Sequence, residues 1–119
     1  MALYMLFARY EPAVVKTLLE YPEALTERDD HAGKFYGSLG GQVVDWWFIR
    51  DAEYHFVVIV DFPDDAAAHA ALLVGYASGA FQDGKILALT SPDETLDVLR
   101  KARPAYEVFN PPHAPEPTS

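Results

Sequence analysis

The stretch that decides the fold is QVVDWWFIR, residues 42–50, followed after three residues by YHFVVIVDFPDDAAA, residues 54–68. Both blocks are dense in β-branched and aromatic side chains and too short for core helices, so each reads as a strand. The polar link around Asp51 and Glu53 makes the pair a hairpin. Pro63 stops the second strand, and Asp64 and Asp65 supply an N-cap and a negative first turn for the alanine-rich residues 66–78. Alanine is the best helix former, and Gly79 closes that helix.

Upstream, residues 2–10 are apolar and aromatic and end at Glu11-Pro12, so a strand gives way there to a helix with proline in its first turn. Val14, Val15, Leu18 and Leu19 recur at helical spacing until Pro22 interrupts. Leu25, Ala32, Phe35, Tyr36 and Leu39 resume it as far as Gly40 and Gly41, which gives one broken helix or two joined end to end. Downstream, Gln82, Asp83 and Gly84 favour a turn, with a fourth strand over residues 85–90. Ser91 and Glu94 have capping-box spacing ahead of a short helix that is expected to halt near Arg103, before Pro104. Four prolines in residues 110–119 predict an extended tail. The order β-α-β-β-α-β-α predicts an α+β, ferredoxin-like βαββαβ domain over residues 1–103. Its antiparallel four-stranded sheet carries both main helices on one face, an extra C-terminal helix follows, and residues 104–119 form the Pro-rich tail.

Strand side chains alternate between the faces of a sheet. One face is predicted to hold Tyr4, Leu6, Ala8, Val44, Trp46, Phe48, Tyr54, Phe56, Val58, Val60 and Phe62, with no charge. The other holds Leu3, Met5, Phe7, Arg9, Val43, Asp45, Trp47, Ile49, His55, Val57, Ile59 and Asp61, still mostly apolar. One layer of helices covers only one face. At roughly 25 cal/mol per Å² of apolar surface, a wet second face forgoes several kcal/mol. A second copy packing sheet to sheet, as a homodimer or higher homo-oligomer, is the expected cover.

The chain has 119 residues with 18 acidic and 9 basic side chains, a formal charge of −9, and no cysteine. That length makes one core, and the missing thiols exclude disulfides, thiolate metal sites and Cys nucleophiles. Phosphate backbones and anionic membranes would repel such a chain, so neither nucleic acid nor membrane is an expected partner. The longest apolar stretch, residues 2–8, is too short to span a bilayer, and a cytoplasmic location is expected.

Several segments then resemble a known family. Tyr10-Glu-Pro at the first helix start, Leu39-Gly-Gly at its end, residues 51–68, and Ser78-Gly79 ahead of residues 86–91 look like the GYD-domain family, over roughly residues 3–98. The tyrosine of its Gly-Tyr-Asp signature falls on Tyr54, with Ala52 or Glu53 at the glycine position and His55 at the aspartate. The resemblance implies a dimeric α+β barrel. That fold is shared by cofactor-free monooxygenases, muconolactone-type isomerases, haem-degrading enzymes and ligand-binding regulatory modules; the family brings no general activity of its own.

The candidate site lies on the mixed face. His55 beside carboxylates is the candidate general base. Arg9 and Tyr54 are candidates to stabilise an enolate, and Trp47 is a wall for a planar ligand, with Asp45, Asp61, Phe7 and Met5 around it. Each has a plainer reading: His55 as a structural histidine, Arg9 as the ion-pair partner of Asp45 or Asp61, Trp47 as packing. Tyr36 offers a second phenol. Asp29, Asp30 and His31 point in different directions on a helix and read as a solvated face, so no metal is expected. No cofactor is expected either; related haem-binding barrels use a helix histidine as axial ligand, which makes His69 the only hint of haem, and its plainer reading is a helix-stabilising pair with Asp65 four residues before it. Residues 37–41 lack the spacing of a phosphate loop. The expected function is binding of a small, largely apolar or aromatic metabolite between sheet and helices or inside the barrel, with cofactor-independent oxygenation or isomerisation if catalytic. The alternative is a non-catalytic ligand-sensing or assembly module.

Overall fold

The computed structural model describes residues 2–51 and 53–115. They form two compact units, residues 1–89 and 90–119. The first contains β1 (Ala2–Tyr10), α1 (Pro12–Glu20), α2 (Ala24–Ser38), β2 (Gln42–Phe48), β3 (Phe56–Phe62), α3 (Asp65–Ala77) and β4 (Phe81–Ala88); the second contains α4 (Pro92–Val108). The strand order is β2-β3-β1-β4 with every neighbouring pair antiparallel, which is the ferredoxin-like arrangement.

Alternation explains the core. Tyr4, Leu6, Ala8 and Tyr10 of β1 are buried beside Phe56, Val58, Val60 and Phe62 of β3, with Ala68 and Ala71 of α3 and Tyr36 of α2 packed on them. The two alanines let α3 approach the sheet closely. Asp64 caps α3 by accepting the Ala67 N–H at 2.8 Å, worth about 1 kcal/mol. The Tyr4 hydroxyl donates to the Asp65 carboxylate, which with burial raises its pKa. Gly40 and Gly79, at φ +77° and +78°, follow the last turns of α2 and α3 in the left-handed conformation that favours glycine.

Three features depart from the parity reading. In β2 the register steps from Val43↔Val60 to Asp45↔Ile59, so Val44 is the extra residue of a bulge. Val43 therefore packs on the core, and Val44 is 58% exposed, the reverse of the expectation. In β4 the strand begins at Phe81, and residues 82–84 lie within it instead of forming a turn. The register steps from Arg9↔Asp83 to Tyr10↔Phe81 around Gln82, and the Asp83 carboxylate accepts the Gly84 N–H at 2.8 Å. Turn-forming residues serve equally well at a bulge. Finally, β3 pairs regularly only from Phe56, so Tyr54 and His55 exchange faces. The Tyr54 ring lies 5.8 Å from that of Phe7, tilted by 38°, on the open face, while His55 turns to Tyr10.

In the second unit α4 starts with the expected capping box, Ser91 accepting the Glu94 N–H while Glu94 accepts that of Ser91. Pro104 does not end the helix, which continues to Val108. Proline removes one N–H, but α4 is exposed on most sides, so water can satisfy the freed carbonyl of Arg100, and the Arg103–Glu107 pair brackets the gap. Residues 110–115 are exposed and carry no helix or strand. No helix among the described residues is long and apolar enough to cross a membrane.

Candidate functional site

The face of the sheet that carries α2 and α3 is not packed throughout. Between it and the helices lies a cavity of about 300 Å³, lined by Arg28, His31, Ala32, Phe35 and Tyr36 of α2, Tyr10, Trp46, Phe56, Val58 and Phe81 of the sheet, Val74 and Gly75 of α3, and Ser78 and Ala80. The α2 contributors recur at i, i+3, i+4, i+7 and i+8, one side of a helix. Aromatic rings form the body of the wall: Tyr10 stands 5.0 Å from Phe56, and Phe56 5.7 Å from Phe81. Ala32 and Ala80 are too small to fill the space between them, and Gly75 gives its side-chain space to the Phe81 ring. An adjoining cleft of about 370 Å³ shares Tyr10, Arg28, His31 and Ala80 and adds Glu27 from α2.

Two phenols give this apolar space a polar element. Burial pushes the Tyr36 hydroxyl far up from the ordinary tyrosine range, and the neighbouring Tyr10 adds to the shift while the Arg28 charge opposes it. Tyr10 is raised by burial too, against the same Arg28. A tyrosine whose folded pKa is raised keeps its full stabilising contribution below about pH 10 and loses it as pH climbs beyond. Melting temperature is therefore expected to fall on titration above pH 10, and Tyr36→Phe to flatten that fall; an unchanged alkaline slope in the variant would show that Tyr36 is not its source.

Of the residues singled out from sequence, Tyr36 lines this cavity, and the proposed base, enolate-stabilising and ligand-wall residues do not converge on it. His55 accepts the Tyr10 backbone N–H at Nδ1, 3.0 Å away, and its ring stacks on Tyr10 at 5.9 Å. It thereby satisfies an amide that the late start of β3 leaves without a ladder partner, and it fixes Tyr10 from behind. The others share the open face of the sheet in cross-strand rows. One row runs Asp45, Ile59, Met5, Leu87; the next runs Trp47, Val57, Phe7, Lys85; Asp61 stands opposite Leu3 and Gln42, and Arg9 opposite Asp83. Trp47 is 62% exposed and Leu87 48%. Among the described residues, the Tyr54 hydroxyl and Asp61 Oδ1 on this face are buried without a hydrogen-bond partner, and the Lys85 ammonium sits 5.9 Å above the Tyr54 ring. Ala52 lies outside the described residues. His69 is exposed on α3, and no group of three or more His, Asp or Glu among the described residues is placed to hold a metal ion.

Arg28, His31, Tyr10 and Phe81 were not identified as site residues from sequence. The available signal was the side of α2 on which a cation and an imidazole share a stripe with Ala32 and Phe35.

A ferredoxin-like sheet with a cavity of about 300 Å³ beneath its helices defines a small α+β protein. The GYD domain matches over residues 4–99, and the chain belongs to that family. No curated protein matches it.

Proposed function

We propose that this protein binds a small, largely apolar or aromatic metabolite in the cavity between helices and sheet, and that it does so as a homodimer whose open sheet faces pack together. The cavity carries the reading: about 300 Å³, walled by aromatic rings, with two phenols and a few other polar groups, it stands at the lower end of the range of small-molecule sites. Ligand sensing is supported over catalysis by the position of His55, whose Nδ1 is occupied by a backbone amide. A second reading has one specific observation behind it. The partnerless Tyr54 hydroxyl, with Arg9, Trp47, Asp45, Asp61, Phe7 and Met5 on the same face, would line the interior of a dimeric barrel, where cofactor-independent oxygenation or isomerisation could proceed.

Native mass spectrometry of freshly purified protein tests the first reading. A dimer carrying one small organic mass per chain is expected. Bare monomers under gentle ionisation, from protein that also fails to take up aromatic probes, would overturn it.

A further inference from the structure

Three exposed helix cations among the described residues are neutralised locally. Lys16 pairs with Glu20, Lys34 with Asp30 and Arg103 with Glu107, each one turn apart. Arg100 and Lys101 of α4 and Arg28 of α2 are not so paired, and of these three the one that lines the cavity is Arg28. Its neighbours one turn away are Ala24, Leu25, His31 and Ala32, and it makes no ion pair among the described residues. Glu27 opens onto the adjoining cleft, and no carboxylate lines the main cavity. A chain with twice as many acids as bases thus presents, at one apolar cavity, a guanidinium, an imidazole and three hydroxyls (Tyr10, Tyr36 and Ser78) without an acid.

Resting on the cavity reading above, we infer that the ligand is an organic anion, an aromatic or compact apolar carboxylate whose charge is held by Arg28 while its ring lies among Trp46, Phe56 and Phe81. The physical reason is directional. An apolar ring gains by leaving water, but a carboxylate enters a low-dielectric space only where a cation and hydrogen-bond donors replace its hydration. The planar guanidinium offers two parallel donors to a carboxylate. The phenols, held protonated by burial, are donors as well. A neutral ligand would gain the ring contacts alone.

The test compares 2-naphthoate with its neutral isostere 2-naphthamide by calorimetry at low salt. Wild type is expected to bind the acid about tenfold or more tightly than the amide, the size of a charge-assisted hydrogen bond, and Arg28→Gln to bring the acid down to the amide's affinity. Arg28→Lys should keep part of the preference, and Lys34→Gln, a charge change one turn past the lining residue His31, all of it. Arg28 is exposed, so melting temperature should hold in every variant. Equal binding of acid and amide by wild type, or a preference that survives Arg28→Gln or falls equally in Lys34→Gln, would overturn the anion inference while the cavity reading stands. Failure of both probes to bind wild type would overturn both.

Discussion

Ile59→Asp is expected to break the proposed homodimer and leave a folded monomer at micromolar concentration. Ile59 sits mid-strand on the open face, between Asp45 and Met5 in the cross-strand row, and its partly exposed side chain contributes little to the core on the other face. A two-fold interface repeats every substitution, so in the proposed dimer one change would place two carboxylates in the middle of an apolar contact that would also hold Asp45 and Asp61 from each copy. Burying an unpaired charge costs several kcal/mol, and two such costs exceed what a standard interface can absorb, so the dissociation constant should rise by about a hundredfold or more. Sedimentation velocity with far-ultraviolet circular dichroism reads the result. An unchanged dimer would mean the copies meet elsewhere. The same variant separates the two functional readings: a monomer that still takes up naphthoate holds it beneath the helices, whereas loss of binding on monomerisation places it inside the barrel.

The architecture was legible because it depends on patterns that survive local irregularity. Hairpin, alanine-rich helix and capping box each show in residue types at fixed offsets, and four strands with two crossover segments leave few ways to arrange a sheet. What sequence could not show follows from single-residue events. One extra residue at Val44 reverses the faces of its strand start, and a strand that pairs only from Phe56 sends Tyr54 and His55 to opposite sides. Period-two reading has no means of counting a bulge. His55 looked reactive because an imidazole near carboxylates usually does; the structure gives its Nδ1 to a backbone amide that only three-dimensional pairing leaves unmatched. The cavity is a volume that side chains fail to fill, and no stretch of chain announces that. Ala32 and, far from it in sequence, Ala80 and the Phe81 ring seated against Gly75 border it together.

Gly75 shows how narrowly the cavity is maintained. It is buried inside α3, where glycine costs about 1 kcal/mol relative to alanine, so packing must account for it. A Cβ at this position would lie 2.1 and 2.2 Å from Cε2 and Cδ2 of Phe81, far inside contact distance. The Phe81 ring must move, and the open space beside it is the cavity that both residues line. Gly75→Ala should therefore trade helix propensity against overpacking, typically 1–3 kcal/mol, for a net loss of no more than about 2 kcal/mol. The same ring movement should weaken naphthoate binding by about a hundredfold or more, because the displaced ring takes the ligand's place. Gly33→Ala supplies the contrast: nothing lies within 4 Å of its added methyl on exposed α2, so it should stabilise by up to about 1 kcal/mol and leave binding unchanged. Thermal melts and calorimetry on the two alanine variants read both quantities. If Gly75→Ala binds naphthoate as wild type does, the ligand does not sit against Phe81 and the site beneath the helices is refuted.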